Sequence, residues 1–466
     1  MTWCEGSDPA RRRDDRKSLM ALPDPTPTRG PGDRRLTLNS VIRKHQIEAT
    51  RTRWLWEDET ELHTAETVLA FSDCARTNLP GARITWGFSW GALTDGSDRY
   101  ATIRRTVREL CETYGDDVTF VPGGFFANRY ATRDEVARDI AEAVDVLGEV
   151  FTRPVRSLLA GFLAAENIER AGTEAGVRTV QGNIWSQFDI DLQDGDGSIA
   201  YPYYPSRGNF LIPGRGADRV DVVTLDGWTV DLVAARTAGM SHGGETTYNS
   251  RLGVGPIETL HRMPPDRALR QMQATGEAHL DERNVERNGL GWVTVNYEIA
   301  EVSRGMAVDP AILGRFGDWL AWMASRWPDL ACPTMAGLGE EHRARHADNE
   351  SLRYILRQEG TGIDASTAGE RVTWFMNADH RLGVVDGLEP AKVFDYTDYR
   401  RPVPEPQGPG ERNWSFLGEI NQKRTRPQDA PVPVAEFFDA HPDVAEALSA
   451  RYAGASELAD VLEQVR

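Results

Sequence analysis

The sequence predicts an α/β protein: a seven-unit β/α barrel, TIM-like but incomplete, with a C-terminal accessory layer of β-strands and helices. Three observations point there. Strand-type apolar runs alternate with amphipathic helical stretches from residue 83 to residue 337, the order that gives parallel strands with helices outside them. The runs number seven, one short of the eight-unit barrel, with a doubly wound open sheet as the competing arrangement. Beyond residue 365 the alternation stops, and "ERVTWFMNADHRLGVV" and "AKVFDYTDY" read as antiparallel strands. The expected division is a disordered tail over 1–36, rich in Arg, Asp, Pro and Gly; a barrel over 37–364; and the accessory layer over 365–466. Within that layer "RRPVPEPQGPGER" is a linker-like break, and 434–466 is helical.

In chain order, a helix is expected over 58–77, with Leu62, Val68, Leu69 and Phe71 on its apolar side. "RITWGF" (83–88) is the first strand, and none is read before it. The helix that follows carries Ile103, Val107 and Leu110 on one face. "DVTFV" (117–121) is the second strand; Thr132 and Glu135 then form a capping box ahead of a helix with Val136, Ile140, Val144 and Leu147 in register. "VRSLLAG" (155–161) and "VRTVQGNI" (177–184) are the third and fourth strands, with a short helix near 165–175 between them. A long loop, 185–217, follows, and loops of that length are functional or disordered. "RVDVVTL" (219–225), "LGWVTVNYE" (290–298) and "LACPTMAG" (330–337) complete the seven. Helices fill the intervals from Thr229, near 265–286, and after Asp309, which reads as a cap with Pro310 in the first turn and Leu313, Phe316 and Leu320 buried.

Composition narrows the function. The chain of 466 residues is 40% hydrophobic, ample for a large core, and its net charge is −18. With no basic patch, nucleic acid is excluded as a partner and an anionic membrane disfavoured. No run of about 18 apolar residues occurs, so no membrane span is expected. The N-terminus lacks the apolar core of a signal peptide, and a cytoplasmic location is expected. Cys4, Cys74, Cys111 and Cys332 are far apart without a CxxC pair, which reads as buried thiols rather than a zinc site or disulfides.

In parallel α/β folds, ligands sit at the carboxyl ends of the strands, and candidate residues are weighed by their distance from those ends. "GFSWG" (87–91) matches the nucleophile-elbow pattern, but "ALTDGSD" separates it from the next helix. Ser89, with Trp86 and Trp90, is therefore expected to line a pocket at the first strand's rim. Asn128 and Glu166 follow the second and third strands. "GNIWSQFDIDLQDGDGS" (182–198) fails as an EF-hand, because Asp194 stands at the required glycine and Ala200 at the closing glutamate. Asp189 and Asp191 lie nearest the fourth strand's edge, and Asp194 and Asp196 read as turn residues. Trp185, Tyr203 and Tyr204 are candidate stacking surfaces in the same long loop. Glu298 ends the sixth strand, with Asn296 on the same side, and a rim salt bridge is the competing role for Glu298. "SHGGETTYNSRLGVGPIET" (241–259) adds His242, Arg251 and Glu258. "HRARH" (342–346) spaces two histidines by four, a metal-ligand spacing on a helix, but its flanking charges suit a solvated face; Glu340 is the rim candidate beside it. Such a rim of carboxylates, amides and aromatics suits a neutral polyhydroxylated ligand.

"QGNIWSQFDIDLQDGDGSIAYPYYPS", "DGWTVDLV", "SRLGVGPIET" and "INQKR" resemble an uncharacterised bacterial domain family of the glycoside hydrolase/deacetylase superfamily of seven-unit β/α barrels, over roughly residues 40–430. The resemblance implies carbohydrate hydrolysis or deacetylation, often with a divalent metal. The sequence departs from the deacetylase pattern: "TWGFSWG" stands where an Asp-Asp pair is usual, and "GGFFANRYATRDE" has no histidine. The expectation is a hydrolase acting on a small-molecule or oligosaccharide substrate, with Glu298 and Asp189 or Asp191 as its two carboxylates. No cofactor is fixed by the residues; a divalent metal is open, through a looser calcium site in 182–198, through the "HRARH" spacing, or as the resemblance implies. Alternatives are an isomerase, epimerase or lyase acting on a sugar-like metabolite, a deacetylase with a non-standard metal site, and a catalytically silent sugar-binding barrel.

Overall fold

The computed structural model describes residues 33–161, 163–181, 199–227, 229–234, 252–364, 366–401, 405 and 431–463. Its strands are β1 (Arg34–Ile42), β2 (His45–Thr50), β3 (Arg53–Asp58), β4 (Ile84–Phe88), β5 (Asp117–Phe120), β6 (Ser157–Leu159), β7 (Thr179–Gln181), β8 (Val223–Leu225), β9 (Gly291–Asn296), β10 (Arg353–Glu359), β11 (Arg371–Asn377), β12 (His380–Asp386), β13 (Lys392–Asp398) and β14 (Val432–Pro433). Seven of them form one parallel sheet in the order β8-β7-β6-β5-β4-β1-β9. The chain steps one way from β1 to β8, then returns to the far side of β1. That is single winding around a barrel, and it excludes the doubly wound competitor.

Side chains show that the sheet is curled. Asn39 of β1 donates to Gln181 of β7 at 2.9 Å, although three strands lie between them in the sheet. Inward residues Val41, Val121, Leu159, Val223, Leu225 and Trp292 share one cluster. Their outward neighbours Leu38, Trp86, Phe120, Leu158 and Val293 belong to the main core under the helices. The period-2 alternation of buried strands thus divides an interior from a helix-covered exterior. No ladder joins β8 to β9 among the described residues; Gly227 instead closes the seam, where a Cβ would lie 2.5 Å from Thr294 Cγ2.

The count of seven strands stands, but its membership needs correction. "RRLTLNSVI" is strand β1, between β4 and β9, inside what reads as tail and unassigned chain. Conversely, 330–337 makes a single bridge, Ala331 to Arg35, before Thr334 caps the helix Met335–Arg345. That helix plugs the amino end of the barrel. Met335 N–H reaches Thr85 Oγ1 at 3.0 Å, Gly339 abuts Thr179, and Arg35 pairs with Glu341 at 2.7 Å.

Smaller corrections concern the helices. The helix expected over 58–77 begins at Ala65, capped by Thr64, and Leu69 on it is exposed. Asp309 is not the N-cap of Ile312–Arg326; that position is Ala311, whose N–H Asp309 accepts. The Thr132–Glu135 capping box forms as read.

The antiparallel sheet β10 to β14 runs in sequential order and begins at Arg353. One face, with Leu356, Val372 and Trp374, packs on Tyr201, Tyr203 and Leu232 from the barrel's side. The other, with Phe375, Leu382 and Val384, is covered by Phe437, Leu448 and Val461 of the C-terminal helices. No described helix is long and apolar enough to cross a membrane.

Two outcomes test the plug. A Cβ on Gly339 would lie 1.9 Å from Thr179 Oγ1 and 2.7 Å from its Cγ2. Gly339→Ala should therefore cost about 1–3 kcal/mol in urea unfolding. Gly337→Ala, where the Cβ meets Pro333 and Thr334 at 3.4 Å, should be neutral or gain up to about 1 kcal/mol from helix propensity. Burial pushes the His342 imidazole in the plug down to about 3, helped by His346, Arg345 and Arg343. Burial likewise holds His279 and His380 at about 4. Each binds its proton more readily when unfolded, so stability is complete above pH 6.5 and falls as the pH drops from there toward 4. His342→Asn should lower the slope of unfolding free energy against pH in that window by about 1.4 kcal/mol per pH unit.

Candidate functional site

The carboxyl ends of the seven strands form the open end of the barrel, opposite the plug. The same alternation that sends Leu36 and Leu38 outward turns Thr37, Asn39 and Val41 inward and carries Arg43 to the mouth. On the neighbouring strand it turns Trp292, Thr294 and Asn296 inward and delivers Glu298 just beyond the end of β9.

Two polar groupings result. In the upper interior, Asn39 Nδ2 lies 2.9 Å from Gln181 Oε1, 2.9 Å from Asn296 Oδ1 and 3.1 Å from Thr294 Oγ1. Its two hydrogens cannot serve three acceptors at once. Asn39 Oδ1 is buried and accepts from no described donor. At the mouth, Arg43 holds two carboxylates: its Nε donates to Glu59 at 2.6 Å and its Nη2 to Glu298 at 2.5 Å. Its Nη1 lies 3.3 Å from Gly124 O in the turn after β5. Burial works against the Arg43 charge, but Glu298 and Glu59 outweigh it and hold the guanidinium above its usual pKa. Burial would raise the Glu59 carboxyl too; His63 and Arg43 bring it down to about 2. Arg304 completes the array, meeting Glu59 at 3.3 Å, Glu57 at 2.6 Å and Glu301. Glu59 is fully buried, whereas the Glu298 side chain keeps 21% of its surface exposed.

The sequence candidates divide accordingly. Glu298 and Asn296 stand at the mouth, and Glu298 engages in the rim salt bridge that was its competing role. Glu258 is buried in the helix Pro256–Leu260, one turn before His261, whose Nε2 meets the Tyr297 hydroxyl at 2.8 Å. Asn128 falls in the short 3-10 turn Ala127–Arg129. Asp189, Asp191, Trp185, His242 and Arg251 lie outside the described residues, as does the side chain of Asn128.

Other candidates are corrected by geometry. Trp86 points outward: it packs on Phe71 and donates to buried Asp116 at 2.8 Å. Ser89 is buried beneath the mouth, donating to Glu48 at 2.6 Å and capping the helix Trp90–Thr94. Its hydroxyl is thus engaged by a carboxylate and a helix end. Trp90 lies under the Arg51 guanidinium, 3.7 Å from its ring centroid. Glu166 is exposed in the first turn of the helix Ala165–Ala175, 3.5 Å from Arg133. Tyr203 is buried, donating to Phe210 O at 2.7 Å. Tyr204 packs at the plugged end against His342, its hydroxyl on His346 O at 2.8 Å. Glu340 is exposed at that same end, 3.8 Å from Arg178. "HRARH" therefore sits opposite the mouth.

Asn39, Arg43, Glu59, Gln181 and Thr294 were missed. The signal for Asn39 was the alternation in "LTLN"; for Gln181, it was the last polar residue of a recognised strand. The metal that the superfamily implies finds no fit here: among the described residues, no three His, Cys, Asp or Glu side chains gather to hold one. The His342 and His346 rings are 4.8 Å apart at the plugged end, with no third ligand among the described residues.

Comparison with known proteins agrees with this architecture. The domain of unknown function DUF3863, a family with a solved structure, matches residues 28–376, and DUF3864 matches 381–452. A candidate glycoside hydrolase/deacetylase from Parabacteroides distasonis is 33% identical, with 90% of this chain and 98% of that one covered and a TM-score of 0.81. Candidate polysaccharide deacetylases align more loosely. The one from Mycobacterium smegmatis is 12% identical over 68% of this chain and 94% of its own, with a TM-score of 0.38. The one from Pseudomonas aeruginosa PAO1 is 10% identical over 67% and 93%, with a TM-score of 0.42. No curated protein matches the chain. With three quarters of its length in one match and a relative of one-third identity aligned nearly end to end, the chain belongs to the DUF3863 family, followed by a DUF3864 segment.

Proposed function

We propose that the protein is a carbohydrate-active hydrolase working at the open end of its barrel, with Glu298 as one of two catalytic carboxylates. The observation that carries this reading is the Glu298 carboxylate itself. It stands at a strand's carboxyl end, partly open to solvent, clamped by Arg43 and next to the amide cluster of Asn39, Gln181 and Asn296. The 33% identical relative, described as a candidate glycoside hydrolase/deacetylase, supports the substrate class.

Each residue then has a task. Asn39 Oδ1, buried and without a described donor, accepts a sugar hydroxyl. Arg43 fixes the Glu298 carboxylate through a fork that is itself anchored on Glu59. A carboxylate facing a buried guanidinium reacts as a base or nucleophile, not as a proton donor. The acid comes from Asp189 or Asp191, in the segment that follows Gln181 of β7. Two such groups act together within about 9.5 Å, nearer 5 Å for a retaining enzyme and wider for an inverting one.

Glu298→Gln keeps the shape and removes the charge. Release of reducing ends or of acetate from a panel of neutral oligosaccharides should fall by at least about 100-fold, the low end for loss of an acid–base group. Unchanged turnover in that variant would sink the assignment. Arg43→Lys keeps one positive charge and loses the fork. Turnover should fall, and the acid limb of its pH profile should move to higher pH, because a carboxylate with a weaker cationic partner is protonated more readily. A drop in rate with the limb unmoved would leave Arg43 a purely structural part.

A further inference from the structure

We infer that Trp54 and Trp56 form a sugar-binding platform on the lip of the barrel mouth, taking the rings of a neutral oligosaccharide or polysaccharide chain that extends away from Glu298. This rests on the carbohydrate-active reading above and adds a subsite to it.

The platform is the outer strand of a hairpin. Its inner side, Ile47, Ala49 and Leu55, packs onto Val41, Val121 and Leu159 and so closes over the barrel interior. The outer strand β3 is exposed at nearly every position. Trp54 is 51% exposed and Trp56 64%, the only pair of neighbours among the six large hydrophobic residues exposed in the described chain. Neither ring is needed by the core. Trp54 is stacked on His45 at 4.6 Å with 19° between planes, so its orientation is set while half its surface faces solvent. Trp56 meets Phe126 edge-on at 6.2 Å.

Trp56 also sits where a large side chain is disfavoured. Its φ is +66°, in the left-handed region, at a cost of roughly 1–2 kcal/mol for an L-residue. Glycine would occupy that turn freely. A bulky ring held in a strained position, and left in water, is accounted for by something it binds.

Position and charge select the occupant. Glu57, next to Trp56, grips Arg304 at 2.6 Å, and Arg304 lies on the helix Ile299–Val308 that starts just after Glu298. From there Glu59 and Arg43 lead back to Glu298, so the lip is lashed to the candidate catalytic carboxylate. Indole faces stack on the C–H faces of sugars, and the carboxylates beside them accept hydroxyls. Arg53 borders Trp54, Glu57 and Asp58 border Trp56, and Glu57 is paired with Arg304, so the lip offers polar groups of both signs without an excess of cations that would draw an acidic glycan, and a neutral chain suits it.

The test is affinity electrophoresis of the full chain in native gels containing glycogen, glucomannan or arabinoxylan, with polygalacturonate as the acidic comparison. At least one neutral polymer should retard the wild type, and polygalacturonate should not. Trp56→Gly relieves the strained φ, so it should melt no lower than the wild type while binding at least tenfold more weakly. Trp54→Ala should weaken binding several-fold. Equal retardation of Trp56→Gly and wild type overturns the platform, as does a wild type retarded by no neutral polymer or chiefly by polygalacturonate. The two readings separate cleanly. Retardation lost with Trp56 in a protein that releases neither sugar nor acetate keeps the platform and ends the hydrolase. Turnover lost with Glu298 alongside unaltered retardation of Trp56→Gly does the reverse.

Discussion

Among the described residues, seven parallel strands enclose a barrel without an eighth to close the ladder, and the rest of the structure follows from how that seam is held. No ladder of described residues joins β8 to β9, and there closure rests on side chains and on the absence of one. Gly227 lets β8 press against Thr294 and Trp292. Asn39 and Gln181 join opposite walls. Both ends are then stoppered from outside the sheet, one by the helix Met335–Arg345 and the other in part by the β2–β3 hairpin. The plugged end is packed with Met335, Leu338 and Tyr204. Chemistry has room only at the other.

The hairpin end is organised by charge. Glu57, Arg304, Glu59, Arg43 and Glu298 alternate in sign from the exposed lip to the mouth. A buried guanidinium is costly to desolvate and contributes little net stability when paired. What the array supplies is geometry: Arg304, Glu59 and Arg43 are each held between two neighbours, and Glu298, the last, is held by Arg43. Positional restraint of that kind is what a reacting carboxylate needs.

Much of the fold was legible because its determinants are local. Alternation of strand and helix patterns is a short-range property, as is the Thr132–Glu135 capping box. β1 escaped notice because a barrel's first strand is buried on both faces, and here Thr37 and Asn39 on the inner face and Ser40 on the outer break the apolar run. "LACPTMAG" misled in the opposite sense, its apolar residues being buried by a bridge and a helix rather than a strand. Trp86 was misplaced for want of applying period 2 consistently, since Ile84, Trp86 and Phe88 all face the helices. The same rule put Asn296 and Glu298 correctly on one side. Arg43 was beyond reach from sequence, because its partners lie 16 and 255 residues away.

The partition of charge between the two ends bears on the class of chemistry. Histidines are the usual ligands of a catalytic metal, and here the spaced pair His342 and His346 is consigned to the plug, where burial holds His342 neutral as a packing element. The described part of the mouth carries carboxylates, amides and the buried Arg43, with His63 beside Glu59 and His261 beside Tyr297. A two-carboxylate mechanism needs its groups in opposite protonation states, which requires environments that push them apart. Under the proposed reading the 2.5 Å pairing with Arg43 makes Glu298 the base or nucleophile of the two. The partner then has to be the group without a cation. Asp189 and Asp191 are the proposed sources of that proton, in a stretch (189–198) whose own residues include no arginine, lysine or histidine.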